Sequence, residues 1–585
     1  MGLYDDASLI FLPGGGAGKN TKAYSVKPTD GNGDFVFSRG TNATATRVNS
    51  QGLIEKGRVN WVNYSNDFSQ WYLNLMPNGV DPAYTVTSGK EGYDGTNDAW
   101  KIELNYGGVI SMSTSHLSPD EIHTFSFYAK KGTLDYIYVE IRNVAESFFN
   151  IGNGTLGDYY NFSQPDVLDR SIQDVGNGWY RCVMTFDNSI LASNSIKFSF
   201  TEDPVQWGAS VGDYTFLQHV QLESGLVETD YIEAGATEGS AGLLEDEPRF
   251  DFHDPNSTAP SACGALLLET QKTNHIWFSE WFGGWDSFST VLTHKDGVSP
   301  SGYKDATKLY IPADDANVYL RSQFYNIANE THIGSIFLKK IDGDEVRLRI
   351  SGNTPGIEGS AIFNLSNGTY RNPVGSVTPS IENYGNGWYR CSVGDLGGAT
   401  VATPSFRIDA LGTSYAPTVY VWGAQIETGL HTTSYIPNHY NWIVTRNKDV
   451  TDTLATSIIE EATDFTWFFD ITDAKFNSDT TLIFQIQGSG STLSYYPNDG
   501  GRFFSADGGW FSDFDTYGKV CVKLSGGILT AFYNGTKSAV TASTSFGITT
   551  GLIGLNHSGG IDGPLKEMLF FKTALSDADC ISLTS

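Results

Sequence analysis

An all-β fold built from tandem jelly-roll sandwiches follows from three features of this 585-residue sequence. Aromatic residues reach 13%, glycines number 64 and charged residues fall to 18%, a composition that suits short strands and tight turns rather than long helices. Segments such as Thr124 to Ala129 and Tyr136 to Ile141 alternate with period two, as half-buried strands do. The chain also repeats itself: Gly176-Asn177-Gly178-Trp179-Tyr180-Arg181-Cys182 returns, identical, as Gly385-Asn386-Gly387-Trp388-Tyr389-Arg390-Cys391.

Other matches keep the same order. His123 to Lys131 corresponds to His332 to Lys340, and Gly92-Tyr93 to Gly302-Tyr303. Gln221-Leu222-Glu223-Ser224-Gly225-Leu226 corresponds to Gln425-Ile426-Glu427-Thr428-Gly429-Leu430, each leading to a Tyr-Ile pair. The opening Asn66-Asp67-Phe68-Ser69-Gln70-Trp71 is similar to Ser279 to Trp285. Two modules are thus expected, at 59–234 and 274–438, each of a size common for a two-sheet jelly roll. In the second, Val346 to Ile350 alternates with Arg347 and Arg349 facing outward. The stretch 235–273 between them reads as a linker, in which Leu266-Leu267-Leu268-Glu269 echoes Gly52-Leu53-Ile54-Glu55.

Residues 439–585 follow a different pattern. Phe465 to Ile471 reads as a strand buried on both faces. Lys519 to Leu524 and Ile528 to Tyr533 form a hairpin, the second strand ending at the turn signal Asn534-Gly535. Gly563 to Phe571 is a further strand, and Thr573 to Leu583 a short helical turn. At the other end, residues 1–58 hold a flexible glycine run, Gly14 to Gly18, and apolar pieces (Leu9 to Leu12, Phe35 to Phe37) too small for a core. Such a segment is expected to order only against a partner.

The net charge of −29 argues against nucleic acid, whose phosphates demand clustered Lys and Arg, and against anionic membrane surfaces. No apolar run approaches the roughly 20 residues that span a bilayer, and Met1 to Pro13 lacks the pattern of a secretory signal. Five widely spaced cysteines (Cys182, Cys263, Cys391, Cys521, Cys580) contain no CxxC pair, so reduced thiols from a cytosolic folding environment are expected.

The segment Ser38-Arg39-Gly40-Thr41-Asn42-Ala43-Thr44-Ala45-Thr46-Arg47-Val48-Asn49-Ser50-Gln51-Gly52-Leu53-Ile54-Glu55 resembles the N-terminal segment of bacteriophage tail-fibre and head-fibre proteins that carry carbohydrate-binding-like modules, and Pro248 to Asp251 with Leu266 to Asn274 resembles its companion linker. The last 130 or so residues are similar to the laminin-G-like, concanavalin-like lectin sandwich, on the strand Leu529 to Gly535 and on the closing strand with Ala574-Leu575-Ser576-Asp577. The resemblance implies a virion surface protein made in the host cytoplasm. It would be a fibre, spike or decoration component, attached through residues 1–58 to capsid, portal or tail proteins. It would be homo-oligomeric, trimeric by analogy, and directed to a host glycan or protein. A polysaccharide depolymerase with accessory modules, or a purely architectural protein, are the alternatives.

No motif supports catalysis. Gly14 to Lys19 lacks the phosphate-loop ending, Gly208-Ala209-Ser210-Val211-Gly212 lacks the helix that a nucleophile elbow needs, and Asp30 to Asp34 breaks the calcium-loop pattern at Phe35. The binding candidates are aromatic. On the repeated strand, Trp179 and Arg181, like Trp388 and Arg390, share one face, which would either stack a sugar or stack on itself. Tyr495, Tyr496, Trp510 and Phe511 read as exposed loop aromatics beside Asp and Asn. No cofactor is expected beyond a structural Ca²⁺, for which Asp507, Asp513 and Asp515 are the candidate oxygen ligands.

Overall fold

The computed structural model describes residues 2–585 except 14–20, 41–43, 77–78, 80, 107–110, 116–120, 142–143, 158–166, 188–194, 206–207, 314–317, 325–329, 352–357, 376, 395–403, 441, 452–453, 457, 477–483, 488–491, 497–501, 506–508, 512–517, 545–547, 549–550 and 556–560. The fold is all-β. Among the described residues, helix is limited to Leu3–Asp6, two single 3-10 turns and Asp577–Thr584. The chain divides into two compact units, one of residues 58–242 with 439–441, the other of 1–57, 243–438 and 442–585.

The first unit is the first repeat. One sheet runs Val167–Gly176, Trp179–Asp187, Ile122–Lys131, Tyr214–Ser224, Ala99–Leu104, Tyr84–Lys90; the other runs Thr155–Leu156, Ala145–Asn150, Tyr136–Ile141, Ser195–Thr201, Ser111–Ser115. All pairings are antiparallel. Between the sheets lie Phe125, Phe127, Val139, Cys182, Met184 and Phe198, alternate residues of strands from both. The repeated heptapeptide is a turn and the strand after it. Asn177 and Gly178 take left-handed φ of 54° and 77°, and Asn386 and Gly387 take 50° and 80°, which a tight hairpin demands and which Asn-Gly supplies at least cost.

The second unit contains the second repeat, with the same two sheets. Val291–Gly297, Ala306–Tyr310, Thr418–Thr428, His332–Asp342, Trp388–Gly394 and Ser380–Asn383 form one; Asp286–Phe288, Tyr319–Gln323, Ser405–Asp409, Glu345–Ser351, Glu358–Asn364 and Thr369–Val374 form the other. The C-terminal sandwich belongs to the same unit. Its core gathers Trp467, Phe469, Val522, Leu529, Tyr495 and Phe570.

Two expectations from the sequence are corrected here. Residues 1–58 are not a free anchor. Leu9–Phe11 pairs antiparallel with Glu567–Phe571, Phe37 pairs with Thr451, and Leu9, Phe11, Ala23, Phe35 and Phe37 are buried in the C-terminal core. The apolar pieces are too small to make a core but large enough to complete one, and the added strand covers a sheet edge that would otherwise expose unpaired backbone groups. The stretch 235–273 is likewise no simple linker. Arg249–Asp251 pairs with Ala265–Leu268, which pairs with Ile561–Leu565, and Leu266 and Leu268 enter the same core. The sandwich of 439–585 is therefore closed by two segments distant in sequence.

A buried ionic cluster joins these segments. Glu269 accepts from Arg249 and Arg446, each at 2.7 Å, while Asp449 accepts from Arg249 and, at 3.4 Å, from Arg39. The side chains of Arg39, Arg249, Arg446 and Asp449 are fully buried. Burial opposes the charge of Glu269, but the two guanidiniums outweigh it and hold the carboxyl at about 2. Arg39 and Arg249 come from the two segments on which the fibre-protein resemblance rests; here they serve the interior.

Candidate functional site

The repeated Trp/Arg face is covered rather than open. Trp179 is 1% exposed and packs with Ala99 and Tyr128. Arg181 lies over the Tyr128 ring at 5.3 Å and donates to the Thr229 carbonyl. In the second repeat Trp388 and Arg390 are 2% and 3% exposed. Trp388 clusters with Phe337, Trp422 and Tyr435, and Val48 and Ile54 of the N-terminal segment complete that cluster. Arg390 spans Phe337 at 5.4 Å and donates to the Thr433 carbonyl at 2.6 Å and to Ser335 Oγ. Alternation along the strand held, but the outward face carries a second layer, so none of these four stacks a sugar from an open sheet. The C-terminal aromatics are also corrected. Tyr495 and Phe511 are buried strand residues, and Tyr496, half-buried, ends the strand Thr492–Tyr496. Asp507, Asp513 and Asp515, and the side chain of Trp510, lie outside the described residues.

The structure assembles a site elsewhere. A cleft of about 510 Å³ opens in the second unit. Arg390 reaches it from one side, with Glu382 and Tyr384 from the hairpin before the repeated strand. Asp251 ends the strand Arg249–Asp251 and His253 follows it, and Lys475 and Asp562 come from the C-terminal sandwich. His253 and Tyr384 stack, centroids 4.0 Å apart and planes within 20°, making a flat aromatic wall. Asp251 Oδ1 accepts the His253 backbone N–H at 2.7 Å, which fixes that wall on its strand. Lys475 donates to Glu382 at 2.9 Å, Lys566 to Asp473 at 2.6 Å, and His431 Nε2 lies 3.0 Å from Asp562.

The electrostatics are divided. Burial works against the Glu382 charge, yet Lys475 overcomes it and holds the carboxyl at about 2. Burial pushes the Asp251 carboxyl up and the His253 imidazole down. The cleft thus offers fixed carboxylate acceptors, ammonium donors and one flat ring surface, the groups that bind hydroxyls and sugar C–H faces. Of the binding candidates read from the sequence, only Arg390 contributes. His253, Glu382 and Tyr384 were missed because no local pattern marks residues that become neighbours only when separate segments pair.

A second group lies in the first repeat. The ligand atoms of Asp94, Asp98 and His219 fall within 4.8 Å of one another, the one such group among the described residues. His219 Nε2 is 3.1 Å from Asp98, and Gln218 Nε2 donates to both carboxylates, so the group is already a closed hydrogen-bond network.

No protein-family model matches the chain, and no curated protein matches it. Among solved structures, the CBM22-1–CBM22-2 tandem domain of Xyn10C from Paenibacillus barcinonensis is 11% identical, covers 67% of this chain and 100% of its own, and gives a TM-score of 0.20. The LG1–3 region of the laminin alpha2 chain is 10% identical, covers 81% and 97%, and gives 0.15. At TM-scores this low neither likeness bears on what the chain binds.

Proposed function

We propose that the chain is a non-catalytic, glycan-binding structural protein of a virion surface, and that a short saccharide occupies the cleft walled by His253 and Tyr384. The observation that carries the binding site is the stacked pair of rings in a 510 Å³ cleft whose lining also holds the Lys475–Glu382 and Lys566–Asp473 pairs. That volume suits a small ligand, and such a lining satisfies hydroxyls without demanding a net charge. The virion assignment rests on the fibre-protein resemblance of residues 38–55. It brings with it attachment to other virion proteins and homo-oligomerisation.

The exposed thiol of Cys263 lines the same cleft and reports on it. A glycan-array hit, titrated against the full chain, should protect Cys263 from alkylation, and His253→Ala should weaken that ligand at least tenfold with the unfolding midpoint preserved. Absence of any glycan ligand, or one that leaves Cys263 and His253→Ala unaffected, would overturn the assignment. A polysaccharide-cleaving reading has one observation in its favour: Asp251 is pushed up and Glu382 down in a single cleft, as an acid and a base would be. New reducing ends after incubation with bacterial polysaccharide would favour it over simple binding.

A further inference from the structure

On the second repeat's sheet of Tyr319–Gln323, Ser405–Asp409 and Glu345–Ser351, three arginines stand in one cross-strand row. Arg321 is in register with Arg407, and Arg407 with Arg349. Neighbouring strands lie about 4.8 Å apart, and like charges directly opposite destabilise a sheet. The adjoining row continues the pattern with Phe288, Tyr319, Asp409 and Arg347 in register.

The first repeat does not do this. Its inward residues Met112, Phe198 and Val139 occupy the places of Leu320, Ile408 and Leu348. The row beside them is then Ser113, Lys197 and Glu140, and Lys197 pairs with Glu140 at 3.2 Å. Where one copy holds a neutral pair, the other holds three guanidiniums, in a chain of net charge −29. Neutralisation is partial. Asp409 accepts from Arg349 at 2.6 Å and Arg407 at 2.9 Å, and Asp286 accepts from Arg321 at 3.1 Å. Glu358 lies 3.8 Å from Arg349, and Arg347 has no ion pair among the described residues. Within the same face the Tyr319 ring has Arg407 at 4.4 Å, Arg321 at 5.1 Å and the half-exposed Phe288 at 5.8 Å.

We propose that this sheet face binds an acidic polysaccharide, its sugar carboxylates taken by the arginine row and a sugar C–H face resting on Phe288 and Tyr319. Arginine's planar fork matches a carboxylate, and an aromatic ring matches a pyranose face. The occupant is a carboxylated glycan rather than nucleic acid. A duplex carries about one charge per 1.7 Å, too dense for a strongly acidic chain to hold with four arginines, whereas a polyuronate carries one per sugar. Repulsion from the rest of the surface is screened beyond about 8 Å at physiological salt, so the local patch decides.

The inference goes beyond the cleft and is tested apart from it. The full chain would be titrated by calorimetry with oligogalacturonate, its methyl ester, dextran and polyphosphate. Binding to oligogalacturonate alone, weakening as salt rises, is the expected result. The variant Arg321→Ser with Arg349→Gln removes two guanidiniums of the row while Arg407 still donates to Asp409; it should remain folded and lose at least tenfold in affinity. Should it fold poorly, Arg347→Ser, which breaks no ion pair among the described residues, should lose about threefold. His253→Ala should bind oligogalacturonate like the wild type. No binding to oligogalacturonate, equal binding of its ester or of polyphosphate, or unchanged affinity in the arginine variants would overturn the proposal.

Discussion

Asn60 and Asn274 make the same four hydrogen bonds in the two repeats. Asn60 Nδ2 donates to the carbonyls of Val220 and Ile232, and its Oδ1 accepts from the backbone of Val62 and Leu222. Asn274 does the same with Ala424, Ile436, Ile276 and Ile426. Each amide is fully buried and ties the strand entering its module to the last long strand and to the segment leaving it. Replacing either by Ala leaves buried backbone groups unpaired, so Asn60→Ala and Asn274→Ala should each cost about 2–4 kcal/mol. Urea unfolding of each variant checks this, and equal losses would confirm that the two amides are equivalent.

Removing residues 1–12 should destabilise the C-terminal sandwich. Leu9 and Phe11 are completely buried there, and burial of such side chains is worth about 1.5–3 kcal/mol each. The bared edge of Glu567–Phe571 should also promote association. Light scattering and limited proteolysis of the truncated chain measure both effects; a soluble, protease-resistant product would contradict the pairing.

Acid should weaken the second unit through Glu269. Its folded carboxyl sits at about 2, below the ordinary value near 4.3, so its contribution is fully present above that ordinary value and is lost as pH falls toward 2. The interval corresponds to roughly 3 kcal/mol. Glu269→Gln should flatten the stability profile between pH 4.5 and 2 while lowering stability at pH 7, because Arg249 and Arg446 lose their shared partner. Denaturant melts at several pH values test the sign.

Asp251 works in the opposite direction. Burial raises its folded carboxyl, so ionisation costs stability once the pH exceeds the unfolded value. Asp251→Asn keeps an acceptor for the His253 N–H and should raise the melting temperature at pH 7 relative to pH 4.

Thiol titration separates the cysteines. Cys263 is exposed, whereas Cys182, Cys391, Cys521 and Cys580 are buried and free. One thiol should react rapidly in the native protein and all five after denaturation.

The sequence by itself determined the duplication, the two-sheet modules and the hairpin inside the repeated heptapeptide. Those features are local: period-two alternation chooses a face, and Asn-Gly chooses a left-handed turn. It also showed Arg347 and Arg349 pointing outward, though not that Arg349 would meet Arg407 and Arg321, since register is a relation between strands. What lies over an outward face was decided only by tertiary structure. Trp388 and Arg390 became interior because Val48, Ile54 and the 433 loop close over them, and no spacing within Gly385 to Cys391 encodes that cover. In the same way Phe11, Phe35 and Phe37 are too few to bury one another. They order because another part of the same chain offers an unfinished core and an open strand edge, and burial area counts only after the chain has chosen which surfaces meet.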